Sequence, residues 1–402
     1  MSERQRKLGV IGLGQAAAMV IDCLRERPDL PWRLVAGADP RAHAVDAFHA
    51  EFGGGHADAE SLCRDSDVDA VYIASPSWLH LEHVEIAARH GKHIICEKPL
   101  TLDLADGLRM VDICRRAGVY LLAGHTHSFD APIVAMSELV RSGDLGDLRA
   151  INCWNFNEFN HRPRLLSELQ ATHGPLLNQG PHHVDIARQI GGGLVRSVRA
   201  SVIPDGVTGM PGGYTAFVQF ASGVPATLVY DGRSLLDTAE FFGWVGESGG
   251  RRDPAWNPQR RSEFEALMAL PAEERDARLE EGKESGRFGG ERAGKLLNAL
   301  AGVEAAYQPH FGLVVVACEK GTLRQSPTGL YLYTANGREE IAVPRRDSGR
   351  VAELLEMHQA IEQGRSPFHD GAWGVATLEV CLGMLESSQT NTEIAMRHQV
   401  SA

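Results

Sequence analysis

The segment Gly12-Leu13-Gly14-Gln15-Ala16-Ala17 stands between a short apolar run, Lys7–Gly12, and a helical pattern, Gln15–Arg25. This strand–turn–helix frame constrains the chain more than any other feature. Gly12 permits a tight turn, Gly14 lets a ligand approach the backbone, and Ala17 is small enough for the helix to pack close to the strand. The helix start then presents N–H groups and the positive end of its dipole to an anion. Further apolar runs at Arg33–Asp39, Asp69–Ala74, His93–Cys96 and Val119–Ala123 alternate with helical patterns such as Leu79–His90 and Leu102–Ala117. Such alternation predicts right-handed βαβ crossovers and a doubly wound parallel sheet over residues 1–125.

Asp39 ends the second run, 25 residues beyond Gly14. That is where a carboxylate accepts hydrogen bonds from the adenosine ribose of a dinucleotide. A 2′-phosphate would be repelled there, which favours NAD; Arg41, two residues on, could pair with such a phosphate, so NADP stays open. Ser75-Pro76-Ser77-Trp78-Leu79-His80 follows the third long run and should lie at the carboxyl edge of the sheet, where a dinucleotide crosses. The candidate cofactor contacts from the residues alone are Gly12, Gly14, Gln15, Ala16, Asp39, Arg41, Ser75, Pro76 and His80.

A chain of 402 residues exceeds the usual single core, and its 43% hydrophobic content can fill two. From residue 126 the pattern changes. A helical stretch at Ala131–Ser142 leads to strand candidates at Leu148–Phe159, Val198–Val202, Thr215–Phe220, Ala226–Tyr230, Leu313–Cys318, Gly329–Thr334 and Glu339–Val343. Two helices, Val351–Gln363 and Gly371–Gln389, close the chain. The expectation for 126–402 is an α+β domain with a largely antiparallel open sheet. Residues 247–309, rich in Gly, Pro and charge, read as an insertion of a loop and one or two surface helices. It is either a solvated excursion or a lid or subunit contact.

The net charge of -12 argues against nucleic acid or an anionic membrane as partner. No signal peptide or span-length apolar segment is expected. Seven scattered cysteines, odd in number and without a CxxC pair, point to reduced thiols and a cytoplasmic protein.

Cys96-Glu97-Lys98-Pro99-Leu100 follows the fourth long run, and Asn178-Gln179-Gly180-Pro181-His182-His183-Val184-Asp185 lies in the second domain. With the glycine turn and Ser75–His80, these segments strongly resemble the Gfo/Idh/MocA oxidoreductases, over nearly the whole chain apart from the insertion. The resemblance implies that Glu97 and Lys98 join the cofactor contacts and that Lys98 also touches the substrate oxygen. It makes His182 the proton acceptor. Asn178 stands where many members carry aspartate; it can orient a hydroxyl but supplies no charge. The chemistry justifies these residue types independently. An imidazole titrates near neutrality and suits taking up a hydroxyl proton, and an ammonium stabilises developing alkoxide charge.

Asn155-Phe156-Asn157-Glu158-Phe159, His161-Arg162-Pro163-Arg164, Asn178-Gln179-Gly180 and the block Cys318–Pro327 are similar to the phthalate 4,5-cis-dihydrodiol dehydrogenase branch. That branch converts carboxylated aromatic cis-dihydrodiols to catechols with NAD. Arg162 and Arg164 would suit a carboxylate through bidentate pairing, although surface or interdomain ion pairs would explain them equally well. His125, His127, Gln179 and His183 are further substrate-contact candidates. The histidines with Glu158 could hold a divalent metal, but their spacing matches no standard zinc pattern, so none is expected. The expected function is an NAD(P)-dependent dehydrogenase acting on a cyclic secondary alcohol. A sugar or inositol dehydrogenase, a cofactor-sensing regulator without catalysis, and an enzyme with tightly held cofactor remain alternatives. The resemblance further implies a homodimer or homotetramer formed through the open sheet face.

Overall fold

The computed structural model describes residues 5–291 and 307–402. Among these, the chain divides into two compact units, one formed by 5–126, 281–291 and 347–375, the other by 127–280, 307–346 and 376–402. The first therefore takes in parts of the insertion and of the C-terminal region, which the change of pattern at residue 126 assigns to the second domain.

The first unit is built on six strands: β1 (Arg6–Ile11), β2 (Trp32–Ala38), β3 (Gly55–His56), β4 (Ala70–Ile73), β5 (His93–Glu97) and β6 (Leu121–Gly124). All pair in parallel, in the order β3-β2-β1-β4-β5-β6. Both faces are covered, which is why β4 reads as an unbroken buried run. On one face Leu8, Val10 and Tyr72 pack with Val20 and Ile21 of helix Gln15–Glu26 and with Leu354 and Met357 of helix Gly349–Gln363. On the other, Ile11, Val71 and Ile73 meet helices Ala59–Cys63, His80–Arg89 and Leu104–Ala117. Each such fully buried aliphatic side chain contributes about 1.5–3 kcal/mol. Helix Gly349–Gln363 is also tied in by Trp32 Nε1, which donates to Leu354 O at 2.7 Å.

The second unit carries nine strands: β7 (Leu148–Phe156), β8 (Val195–Pro204), β9 (Pro211–Phe220), β10 (Pro225–Asp231), β11 (Leu313–Cys318), β12 (Thr322–Gln325), β13 (Gly329–Thr334), β14 (Gly337–Ala342) and β15 (Ile394–Ala395). Their order is β14-β13-β12-β11-β7-β10-β9-β8-β15, antiparallel except for the β7–β10 pair. Helix Gly180–Gly191 lies over the sheet with ten buried residues. The two-residue strands β3 and β15 are too short for alternation to reveal.

The insertion forms helices Trp256–Met268 and Ala272–Gly286, but it is not uniformly solvated. Asn257 and Phe264 are buried in the second unit, and Phe288 is buried in the first against Phe48 and Phe52.

Candidate active site

In the first unit the strand order reverses between β1 and β4, and the loops after these strands carry Gly12–Gly14 and Ser75. Ligands bind at such switch points. Gly12 has φ of +87°, and a Cβ there would come within 2.7 Å of Ser75 N, so only glycine fits. At Gly14 a Cβ would meet only Ala74 O at 3.8 Å, which leaves the backbone open to a ligand. Helix Gln15–Glu26 has no side-chain cap at its start and no acidic residue in its first turn. Its dipole and amides are thus available to a phosphate. Ala17 is fully buried, as close helix–strand packing requires, whereas Gln15 is exposed and Ala16 half-buried.

Asp39 is buried and closes this cradle. Its Oδ2 accepts from Leu13 N at 2.8 Å, and its Oδ1 accepts from Arg41 N at 2.9 Å and from Arg41 Nε at 2.8 Å. Burial raises its pKa, but the Arg41 guanidinium and these amides outweigh burial and hold the carboxyl below its ordinary value. Arg41 in turn donates to Leu13 O at 2.8 Å and to Glu284 Oε1 at 2.7 Å.

Glu97 ends β5 and Lys98 follows it. Glu97 is buried, its Oε1 accepting from the Tyr72 hydroxyl at 2.9 Å and from Arg350 at 2.5 Å. Burial opposes its charge, yet Arg350 and Lys98 keep it below the usual carboxylate value. Glu353 lies behind it, fully buried, and is pushed well up by that burial and by the charge of Glu97. The two carboxyls, shifted in opposite directions, share the Tyr72 hydroxyl, which lies 3.5 Å from Glu353 Oε2. Lys98, half-buried, precedes Pro99 through a cis peptide bond. His80 does not present a nitrogen to the cradle. Its Nε2 faces Ser75 O at 2.9 Å and its Nδ1 faces Pro99 O and Leu100 O at 3.2 and 3.1 Å, so it braces the two loops against each other. Ser75 Oγ contacts His83 Nδ1 at 2.8 Å, and Pro76 is exposed beside it.

In the second unit, His127, His182 and His183 gather around Phe311, with ring centroids 4.7, 5.0 and 5.2 Å from it. The His127 and His182 rings meet edge to face at 4.8 Å. Asp130 Oδ2 lies 3.0 Å from His127 Nδ1 and fixes that ring. Burial raises the Asp130 carboxyl despite the opposing influence of His127. His183 has no exposed surface. Its Nδ1 meets the Tyr214 hydroxyl at 3.0 Å, and burial, with His127, drives its pKa down to about 3. It packs in the core, and His182 is the member of the pair on the outer side, 5% exposed. Asn178 Oδ1 accepts from Gln179 Nε2 at 2.7 Å. His125 is buried at the end of the first unit, with its backbone N donating to Ala123 O at 2.9 Å.

The two arginines differ. Arg162 Nε donates to Glu158 Oε1 at 3.1 Å; burial opposes its charge, but Glu158 outweighs burial. Glu158 is also paired with Arg252, which reaches Asp237 at 2.6 Å, and the arginines hold the Glu158 carboxyl, buried as it is, down at about 2. Arg164 makes no ion pair among the described residues. Its guanidinium stacks 4.4 Å over Phe159, its Nε is buried without a partner, and burial together with Arg162 pushes its pKa down to about 10.

Residues 6–125 match the oxidoreductase family with an NAD-binding Rossmann fold, and residues 133–246 match the GFO/IDH/MocA C-terminal domain. The 1-carboxy-3-chloro-3,4-dihydroxycyclohexa-1,5-diene dehydrogenase of Comamonas testosteroni is 34% identical over 393 residues, covering 95% of both chains. The chain belongs to the GFO/IDH/MocA oxidoreductases. The myo-inositol 2-dehydrogenase of Thermotoga maritima is 32% identical over 51% of this chain and 61% of its own. A crystal structure of a dehydrogenase from Bordetella bronchiseptica RB50 superposes with a TM-score of 0.85 at 31% identity, covering 98% of this chain and all of the other.

As a GFO/IDH/MocA member, the chain is an NAD-binding dehydrogenase. Gly12, Gly14, Asp39, Arg41 and Ser75 come together in its first unit, and His127, His182 and the Asn178–Gln179 pair lie in its second. Sequence reasoning missed Arg350, Glu353, Arg252, Asp130 and Glu284. Asp130 alone had a signal, standing three residues after His127. Arg252 reaches Glu158 across 94 residues, Glu284 reaches Arg41 across 243, Arg350 reaches Glu97 across 253 and Glu353 reaches Tyr72 across 281.

Proposed function

We propose that the protein oxidises a carboxylated cyclic cis-diol of the dihydrodiol kind with NAD. The observation that carries this reading is Arg164, a partly buried guanidinium stacked on Phe159, with its Nε buried and unpartnered and no ion pair among the described residues. A cation so placed is stabilised by an anionic ligand, and a planar carboxylate fits its fork. The named substrate of the Comamonas relative, a carboxylated cyclohexadiene diol, supports the reading.

NAD, when bound, supplies the hydride acceptor. Gly12, Gly14, Gln15 and Ala16 hold the pyrophosphate, Asp39 takes the adenosine ribose hydroxyls, and Ser75, Pro76 and Glu97 line the remainder. The Lys98 ammonium stabilises negative charge on the substrate oxygen as its proton leaves. His182 accepts that proton, beside His127, whose ring is held by Asp130. Asn178 and Gln179 orient the second hydroxyl. The C–H hydrogen departs as hydride and the O–H hydrogen as a proton, which yields a ketone. Loss of the adjacent ring proton and protonation of the ketone oxygen then give the catechol.

Trp154 and Phe217, 39% and 45% exposed on the same face of the second-unit sheet, with β10 between their strands, support association of copies through that face. Seven buried cysteines without a disulfide support a reducing, cytoplasmic setting. No described helix is long and apolar enough to cross a membrane.

The test is NADH formation with carboxylated cis-dihydrodiols, inositols and aldoses, with NAD binding measured alongside. Turnover of the dihydrodiols, with an elevated KM in Arg164→Ala, is the expected result. Preference for inositols, which the Thermotoga relative would favour, replaces the substrate assignment. Nucleotide binding without turnover of any of the three classes sinks the catalytic reading.

A further inference from the structure

Residues 247–309 lie outside both family matches, yet their described end reaches the dinucleotide cradle of the first unit. Phe288 anchors it: the ring packs against Phe48 and Phe52, the Arg25 guanidinium lies 5.6 Å over it, and its N–H donates to Leu13 O at 3.2 Å. Two residues earlier, a Cβ at Gly286 would come 2.4 Å from Gln15 Nε2, so the strand of chain runs against the glycine turn itself. Four residues before Phe288, on the last turn of helix Ala272–Gly286, stands Glu284.

The Glu284 carboxylate takes Arg41 NH1 at 2.7 Å and His43 Nε2 at 2.9 Å, and it pairs with Arg287. Partial burial opposes its ionisation, but Arg287, His43 and Arg41 hold it down at about 2. Arg41 thereby has Nε on Asp39, NH2 on Asp39 and Leu13 O, and NH1 on Glu284. Arg41 is the cation in the β2–helix loop that could receive a 2′-phosphate, and Glu284 occupies the edge of its guanidinium that Asp39 and Leu13 leave open. A second carboxylate close to Asp39 also adds repulsion against any incoming phosphate.

We infer that Glu284 of the insertion is a positioning residue for cofactor selection: by engaging Arg41 it reserves the Asp39 site for the ribose diol of NAD and excludes the 2′-phosphate of NADP. The inference rests on the reading that Asp39 receives the adenosine ribose. Glu284 is a surface-side residue, 40% exposed, so its replacement leaves the packed core intact.

The experiment is calorimetric titration of the full chain with NAD and NADP, without substrate, for wild type, Glu284→Ala, Glu284→Gln, Arg41→Ala, Glu284→Ala with Arg41→Ala, and Asp39→Ala. The ratio of the NADP to the NAD dissociation constant should fall about tenfold in both Glu284 variants, the size of a typical single charge-pair change. The fall should vanish in the double variant, because no Arg41 remains to turn towards the phosphate. A ratio within about twofold of wild type in Glu284→Ala, while Asp39→Ala weakens NAD, overturns the role of Glu284 and leaves the ribose site standing. An equal fall in the double variant overturns action through Arg41. Unchanged NAD affinity in Asp39→Ala sinks the ribose-site reading and the inference with it.

Discussion

Arg41 in the first unit and Arg164 in the second are both partly buried guanidiniums at candidate binding surfaces, and they are treated in opposite ways. Arg41 is engaged by Asp39, Glu284 and a backbone carbonyl. Arg164 has an aromatic face beneath it and no ion pair among the described residues. A satisfied cation is part of a receptor already assembled for a neutral group. An unsatisfied buried cation is a receptor for an anion, since its charge is otherwise uncompensated. The nucleotide unit is thus prepared in advance by its own ion pairs, whereas the second unit leaves the completing charge to the ligand.

The comparison breaks most severely if the prepared side does not depend on its ion pairs. Arg350→Met strands the buried Glu97 carboxylate beside Tyr72 and Glu353, and a loss of about 3–5 kcal/mol in chemical denaturation is expected. A loss under about 1 kcal/mol would mean that Glu97 simply takes up a proton.

Lys98→Ala separates preparation from chemistry within the same unit. Steady-state kinetics should show kcat lower by about 100–1,000-fold, in line with removal of one oxyanion-stabilising donor. NAD affinity, set by the cradle around Gly14 and Asp39, should move far less. A purely binding effect would return Lys98 to the cofactor contacts alone.

The arginines of the second unit sharpen the contrast. Arg164→Ala should raise KM for a carboxylated diol by about 30-fold, the range for losing one charged partner of a buried pair. Arg162→Ala should raise it less, because that guanidinium is already committed to Glu158. The reverse ranking would make Arg164 a packing residue on Phe159.

The smallest effect concerns pH. The folded pKa of His183 lies at about 3, below the ordinary 6.5, because burial disfavours the imidazolium. Its contribution to stability is complete above about pH 6.5 and is lost as the pH falls towards 3, since the unfolded chain then binds the extra proton. His310, lowered to about 4 by burial, acts in the same direction. Melting temperature should therefore fall between pH 6.5 and 4.5, with a shallower slope in His183→Asn. An identical slope would place the acid sensitivity elsewhere.

Residue patterns of short range carried much of this. The glycine turn, Asp39, the Glu97-Lys98-Pro99 segment and the Asn178–Asp185 segment are each contiguous or bound to a strand end. Their meaning follows from backbone geometry a few residues long, and so do the parallel and antiparallel sheets, whose strands announce themselves by apolar runs. His80 and His183 show the limit. Both stood in informative motifs, yet whether an imidazole faces a ligand or a carbonyl depends on what packs against it, and here Ser75 O, Pro99 O and Tyr214 claim them.

The sequence by itself therefore determined the fold class, the glycine turn at the start of the first helix and the family. Only the tertiary structure decided which charges are satisfied. Glu284 meets Arg41 across 243 residues and Arg350 meets Glu97 across 253, while Arg164 forms no ion pair among the described residues. Ion pairing depends on separations of a few ångströms in space, and no periodicity along a chain encodes those distances.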